Sequence, residues 1–139
     1  MKKTGCKVAA LMAVGMMAFC LNAKAQTDSI HKTYYRGAKL KMETPYTKGE
    51  KNGVEKLYDE YNGKLKKETP YTNGKKNGVE KLYNGNRIMS ETPYTNGQIN
   101  GVHKLYMNGK LQREIPYKDG YIIPGGKTYN YDEEGNLKK

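Results

Sequence analysis

The sequence predicts an all-β protein, folded as an elongated antiparallel meander of stacked β-hairpin repeats in a single sheet. A phrase of about 23 residues recurs along the chain, beginning at Glu43, Glu68, Glu91 and Glu114. Asn-Gly dipeptides punctuate the array, and the runs between them are too short for helices. Such regularity is typical of repeat proteins, in which each unit packs against its neighbours and needs only a thin apolar core of its own.

The chain opens with a segment that we set apart from the fold. Lys2 and Lys3 precede a mostly apolar run over residues 8–21, and Ala23-Lys24-Ala25 gives the small-x-small pattern of a cleavage site. This order is typical of an export signal. Residues 1–25 are therefore predicted to be a signal peptide, and the protein is expected in the periplasm, in the outer envelope or outside the cell. A membrane anchor is the rival interpretation, but a run of about 14 residues is shorter than the roughly 20 that span a bilayer.

The remaining chain divides into a flexible leader, residues 26–33, and the repeat array, residues 34–139, with about four copies of which the last is degenerate. The exported part carries 21 Lys and Arg against 14 Asp and Glu, and it contains no cysteine because Cys6 and Cys20 both precede it. Its low content of Val, Ile, Leu and Phe favours disorder on composition alone. The strict register of the copies favours a folded array instead.

Turn chemistry and alternation predict the strands. Asn and Gly both tolerate positive φ, so an Asn-Gly dipeptide between alternating runs is the strongest short-range signal for a β-hairpin. Alternation places Leu111, Arg113, Ile115 and Tyr117 on one face, and a second copy repeats this with Leu65, Lys67, Thr69 and Tyr71. The eight dipeptides begin at Asn52, Asn62, Asn73, Asn77, Asn84, Asn96, Asn100 and Asn108.

Proline interrupts each Glu-Thr-Pro-Tyr strand, where it cannot donate a hydrogen bond to the ladder. We therefore expect each of these strands to end or bulge near its proline, with the following tyrosine directed at the neighbouring hairpin. A two-residue insertion at Asp59-Glu60-Tyr61 lengthens one interval between copies. An even insertion keeps every later side chain on its own face, which agrees with strands of period two.

The repeated phrase resembles the MORN repeat variant, a longer relative of the membrane-occupation-and-recognition-nexus repeat that is often described as antitoxin-component-like in bacteria. The resemblance covers about Tyr34 to Tyr131. It implies an elongated antiparallel sheet of stacked hairpins that serves as a binding or scaffold module. Standard MORN repeats are connected with membrane lipids and protein partners, but they carry a Trp or Phe that this array lacks. The matching positions are Tyr46, Gly49, Gly53, Tyr58, Tyr71, Gly74, Gly78, Tyr83, Tyr94, Gly97, Gly101 and Tyr106.

The sequence offers no recognisable arrangement for chemistry. A catalytic site needs an activated nucleophile, a base or a metal held by converging ligands. His31 precedes the repeats, and His103 stands where sister copies have Glu55 and Glu80, so we interpret His103 as a surface residue. We expect a non-enzymatic protein with no catalytic residue, cofactor or metal. The recurring Glu43, Glu68, Glu91 and Glu114 are expected to pair across strands with Lys56, Lys81 and Lys104.

Lysines and tyrosines form the candidate binding surface. Cationic and aromatic side chains in rows can meet an anionic or flat ligand by attraction and stacking. The alternative is that tyrosine fills the thin core while lysine keeps the array soluble. The candidate residues are Tyr46, Tyr71, Tyr94, Tyr117, Lys48, Lys51, Lys75 and Lys76.

Two classes of function remain open on the sequence. The first is an exported interaction module or scaffold that binds a protein, a glycan or an anionic lipid surface of the envelope. The second is an antitoxin- or immunity-like protein that sequesters a cognate toxin. Nucleic acid is not an expected partner, because the protein is predicted to be exported and nearly every strand carries an acidic residue. The sequence does not specify the oligomeric state.

Overall fold

The structure, a computed structural model, describes residues 28–124 and 129–138, so the predicted signal peptide lies outside the described residues. These two ranges contain thirteen strands and no helix. The strands are β1 (Ser29–Tyr34), β2 (Leu40–Thr47), β3 (Glu50–Lys51), β4 (Gly53–Tyr58), β5 (Leu65–Thr72), β6 (Lys75–Lys76), β7 (Gly78–Asn84), β8 (Arg87–Thr95), β9 (Gln98–Ile99), β10 (Gly101–Met107), β11 (Lys110–Lys118), β12 (Tyr121–Ile122) and β13 (Tyr129–Asn130).

All thirteen strands belong to one antiparallel sheet. Its main path runs β1-β2-β4-β5-β7-β8-β10-β11-β12, while β3, β6 and β9 pair with β2, β5 and β8, and β13 pairs with β11. One repeat therefore consists of a long strand, a tight turn, a short strand and a medium strand. This is the predicted meander of stacked hairpins in a single sheet, and the predicted fold class is confirmed.

The array begins earlier than the sequence suggested. Residues 29–33, assigned above to a flexible leader, form most of β1, which pairs with β2 along its whole length. Ser-Ile-His-Lys-Thr-Tyr in β1 matches Gly-Val-His-Lys-Leu-Tyr in β10, and the two strands share one register, with Lys32 opposite Glu43 and Lys104 opposite Glu114. The leader prediction is wrong over these residues, because β1 is a further copy of the medium strand.

The predicted Asn-Gly hairpin turns are present where a long strand meets a short one. Asn73 and Gly74 have φ values of 48° and 76°, and Asn96 and Gly97 have 51° and 90°. Positive φ at both central residues is the mark of a type I′ turn, whose twist matches that of the strands it joins. Each such turn also stacks on the preceding hairpin, since the amide of Gly74 donates to the carbonyl of Lys51 at 2.9 Å.

Three of the dipeptides do not form turns. Those beginning at Asn52, Asn77 and Asn100 lie between a short strand and a medium strand that run in the same direction, and each forms a bulge. The glycine of the middle one, Gly78, has a φ of 114°. The turn prediction is therefore wrong at these positions, because positive φ serves a bulge as well as a hairpin.

The bulge explains how the sheet tolerates proline. Asn52 donates its amide to the carbonyl of Pro45 at 3.0 Å, so Pro45 directs its own nitrogen to the same side. That nitrogen carries no hydrogen, and it faces the bulge rather than a ladder position. The irregularity predicted beside each proline is present, but it lies in the facing strand while the proline strand continues to Thr47.

Each long strand also contains a bulge of its own, and this bulge makes the predicted alternation of side chains wrong at one position. Leu57 lies opposite Lys67, but the next residue, Tyr58, lies opposite Leu65, so that Lys66 is an extra residue. Adjacent residues of a strand point to opposite faces, and cross-strand partners share a face. Leu65 therefore lies on the face opposite Lys67, and Leu111 in β11 is moved in the same way. The shared-face prediction is wrong for these two leucines.

The sheet is a single layer without an apolar core. No hydrophobic residue among those described is buried, and the buried side chains are polar. We call one side the valine face, which carries Val54, Val79 and Val102 opposite Pro70, Pro93 and Pro116. The other side, the threonine face, carries Thr44, Thr69 and Thr92 and the row Tyr46, Tyr71, Tyr94 and Tyr117.

Candidate binding surface

A polar unit on the threonine face joins neighbouring strands. The Thr44 hydroxyl donates to Glu55 Oε2 at 2.8 Å, and Lys51 Nζ donates to the same oxygen at 2.6 Å. Glu55 is only 7% exposed, so this carboxylate is satisfied inside the sheet rather than by water. The next copy repeats the unit, with Thr69 and Lys76 donating to Glu80 at 2.9 Å and 2.7 Å.

Each lysine of these units also lies over a tyrosine of the following hairpin. Lys51 Nζ is 4.7 Å from the ring centroid of Tyr71, and Lys76 Nζ is 4.5 Å from that of Tyr94, both within the range of a cation–π interaction. Burial disfavours the ammonium form of Lys51, but the hydrogen bond and charge of Glu55 outweigh it, and the pKa of Lys51 is raised. The predicted direction of the tyrosines toward a neighbouring hairpin agrees with this contact.

The third copy replaces the ion pair with a different pair. Ile99 stands at the lysine position and His103 at the glutamate position. Thr92 Oγ1 and His103 Nδ1 are 2.9 Å apart, and the His103 ring meets the Tyr117 ring edge-on with centroids 6.3 Å apart. Burial lowers the pKa of His103, which favours the neutral ring. His103 is therefore a half-buried member of the unit, and its interpretation as a surface residue is wrong.

A row of alternating charges crosses the valine face. Cross-strand pairing places the lysines of β4, β7 and β10 opposite glutamates of the long strands on both sides, as predicted. The pair at ion-pair distance in this row is Lys32 and Glu43, whose Nζ and Oε1 atoms are 3.0 Å apart. The row consists of Lys32, Glu43, Lys56, Glu68, Lys81, Glu91, Lys104 and Glu114.

Tyrosine hydroxyls bind the glutamates of this row. Tyr58, Tyr83 and Tyr106 donate to Glu43, Glu68 and Glu91 at 2.7, 2.7 and 2.8 Å. Burial, followed by the hydrogen bond to the carboxylate, raises the pKa of each of these tyrosines to about 12. Hydrogen bonds donated by the Tyr58 hydroxyl and the Lys32 ammonium group in turn lower the pKa of Glu43. These tyrosines hold the hairpins together, a role that the sequence did not reveal.

The raised pKa values predict loss of stability in alkali. The folded-state values near 12 exceed the value of about 10 for an unfolded tyrosine, so the stabilisation is complete below pH 10 and is lost as pH rises toward 12. A phenolate absorbance titration is expected to show three tyrosines ionising near pH 12. Tyr58→Phe is expected to remove one of them, whereas Tyr61→Phe, at a position that is 88% exposed, leaves this group unchanged.

A second prediction concerns a buried hydroxyl group, that of Thr33. Thr33 Oγ1 is buried and has no hydrogen-bond partner, and the equivalent positions in later copies hold Leu57, Leu82 and Leu105. Because an unsatisfied buried polar group costs about 1–3 kcal/mol, Thr33→Val is expected to raise the free energy of unfolding by about 1 kcal/mol. Thr44→Val is the matched control, expected to lower it because Thr44 donates to Glu55. Thermal unfolding measures both, and a loss of stability in Thr33→Val contradicts the prediction.

The structure separates the eight candidate residues into three groups. The four tyrosines lie in one row of half-buried side chains on the threonine face. Lys51 and Lys76 lie in that row too. Each already forms an ion pair with a glutamate and contacts a tyrosine ring, so neither is well placed to bind an external anion. Lys48 and Lys75 are exposed and lie at hairpin ends, where Lys48 has a φ of 55°.

The valine face offers the surface that sequence reasoning missed. Val54, Val79 and Val102 are 43%, 42% and 42% exposed, so the same apolar side chain is presented at the same depth in three successive repeats. A shallow groove between two of them is lined by Val79, Lys81, Glu91, Pro93, Val102 and Lys104. The signal was present in the recurring Gly-Val-x-Lys-Leu-Tyr phrase, but the face of each residue depends on bulges that the phrase does not reveal.

The described residues contain no group of three or more His, Cys, Asp or Glu side chains placed to hold a metal ion. Within the same ranges no helix has the length and apolar character needed to cross a membrane. Comparisons with protein-family models, with curated proteins and with solved structures gave no match to this chain.

Proposed function

We propose that this protein is an exported, non-enzymatic interaction module that binds its partner through the valine face of the repeat array. The observation that carries the proposal is the threefold presentation of an exposed valine beside a proline and an alternating row of lysine and glutamate. An apolar strip bordered by matched charges suits a protein surface, because the valines supply buried area and the charges fix the register. A glycan or an anionic envelope lipid is the alternative ligand class.

The repeat geometry favours binding distributed over several units. Equivalent residues of successive repeats are separated by two strand spacings, or about 10 Å. A partner that contacts one repeat is held close to the next, so that weak contacts add through effective concentration. The likeness of the repeated phrase to the MORN variant supports the same class of function, and the N-terminal signal pattern supports its place outside the cytoplasm.

The proposal predicts graded losses of binding. After capture of a partner from envelope extract, Val54→Lys, Val79→Lys and Val102→Lys are each expected to weaken binding about tenfold or less, and the triple variant is expected to abolish it. The matched control is Leu82→Lys on the opposite face of the same strand as Val79, since the two side chains are 40% and 42% exposed. Titration calorimetry of each folded variant supplies the affinities.

Three results count against the proposal or redirect it. Equal losses in Val79→Lys and Leu82→Lys would show that the valine face is not the binding surface. Complete loss from one substitution, with the other two valines silent, would place binding at a single site. Capture of one dedicated toxin would instead support the antitoxin-like alternative.

A further inference from the structure

We propose that the outer edge of β1 binds an extended peptide segment of a partner protein that contains a Glu-Thr pair, and that this segment joins the sheet as an additional antiparallel strand. The incoming strand would take the register that the protein's own long strands use inside the array. This site is an edge rather than a face of the sheet, and it therefore goes beyond the function proposed for the valine face.

The first argument is the position of β1 in the repeat pattern. β4, β7 and β10 each lie between two long strands, whereas β1 pairs with β2 alone among the described strands. The exposure of equivalent side chains reflects the missing neighbour, because Ile30 is 63% exposed while Val54 is 43% exposed. A strand placed beside β1 would restore the environment that the interior strands have.

The second argument concerns backbone hydrogen bonds. The carbonyl of Pro45 accepts from Asn52 on the far side of β2, so Ile30 and Pro45 form a non-hydrogen-bonded pair. Amide groups alternate along an antiparallel strand, and those of Ile30 and Lys32 therefore point away from β2. Such a row of outward donors and acceptors is a template for another strand.

The third argument is the chemistry of the β1 side chains. Lys56 faces Glu43 on one side and Glu68 on the other, but Lys32 faces Glu43 on one side only. A glutamate opposite the free side of Lys32 would complete the alternating row of the valine face. A threonine after that glutamate would reach His31, as Thr92 reaches His103 in the third copy. The edge is thus matched to a Glu-Thr pair within an extended segment.

The probe is a synthetic peptide with the sequence of β5, Leu-Lys-Lys-Glu-Thr-Pro-Tyr-Thr. We expect it to bind the purified protein, as measured by fluorescence anisotropy of a labelled peptide. A control peptide with lysine in place of its glutamate is expected to bind about tenfold more weakly, because two lysines then face each other across the strands. Equal binding of the two peptides would overturn the proposed recognition.

Two protein variants place the peptide on the edge. Lys32→Pro removes the outward amide at the position whose interior equivalent, Lys56, pairs with Glu43 of the preceding long strand, so it is expected to abolish peptide binding while the β1–β2 hydrogen bonds remain. Lys32→Glu is expected to reverse the preference and bind the lysine control peptide more tightly than the original one. Undiminished binding to a folded Lys32→Pro variant would refute the site.

Hydrogen exchange gives an independent measurement. The outward amide of Lys32 is expected to exchange rapidly in the free protein and to become protected when the peptide binds. Protection in the free protein would mean that the chain's own N-terminal residues or a second copy already cover the edge, and this would overturn the proposal. Val79→Lys is expected to leave peptide binding unchanged, so failure at this edge and failure at the valine face are distinguishable.

Discussion

Replacing Gly78 with alanine is expected to lower the free energy of unfolding by about 3 kcal/mol. Two costs combine at this bulge. Gly78 has a φ of +114°, which an L side chain rarely adopts, and a Cβ built there would lie 2.9 Å from Pro70 Cγ and 3.2 Å from Pro70 Cβ. Neither the proline ring nor the bulge is free to move, because Asn77 donates its amide to the Pro70 carbonyl at 3.0 Å. Chemical denaturation of the purified variant measures the loss.

A matched substitution separates the two costs. Gly74 also has a positive φ, of +76°, but a Cβ at that position meets no atom within 4 Å. Gly74→Ala is therefore expected to cost only the backbone strain, about 1–2 kcal/mol. In the double variant Gly78→Ala/Pro70→Ala, part of the loss should return because Pro70 Cγ is absent. If Gly74→Ala proves as damaging as Gly78→Ala, contact with the proline is not the cause.

The second large effect is expected in the first polar unit of the threonine face. Lys51→Ile leaves Glu55 buried without its cation, and the free energy of unfolding is expected to fall by about 3 kcal/mol. Adding Glu55→His converts the unit into the pair that the third copy already contains, with Thr44 free to bond the imidazole. We expect the double variant to recover most of the stability.

The test is a double-mutant cycle on thermal and denaturant unfolding. A coupling energy of about 2 kcal/mol is expected between positions 51 and 55, since both side chains share one oxygen-centred network. Lys75→Ile is the control, because Lys75 is exposed, does not have a positive φ, and its loss leaves Glu55 paired with Lys51. Additive losses in the two single variants, without recovery in the double variant, would show that the pairs are not interchangeable units.

The repeat spacing and the turn residues made the fold predictable from the sequence. The fixed distance between copies and the Asn-Gly dipeptides predicted a meander of hairpins, because positive φ and period two are local properties of the chain. The phrase Ser-Ile-His-Lys-Thr-Tyr in β1 was also readable, by comparison with the strand that carries His103. It was assigned to a leader because the repeated phrase was defined from Glu43 onward and β1 precedes that residue.

The candidate surface was harder to predict for a physical reason. Which face a residue occupies depends on every bulge between it and the next turn, and a bulge is a property of two paired strands. From the sequence, Lys51 was expected to be a free cation. The bulge at Asn52-Gly53 instead places the Glu55 carboxylate beside Lys51 Nζ on the threonine face. The same displacement leaves Val54 exposed on the opposite face.

The sequence by itself determined the fold class and the repeat length, and it marked the positions of positive φ without distinguishing hairpin turns from bulges, since each of these follows from the conformational preferences of a few adjacent residues. The tertiary structure alone decided which side chains are satisfied within the sheet and which remain available to a partner. That division depends on cross-strand register, because Thr44 Oγ1, one of the two donors that satisfy Glu55, belongs to a strand separated from it by a turn. A single-layer sheet has no deep core, so register rather than burial distinguishes its structural face from the face that we propose binds a partner.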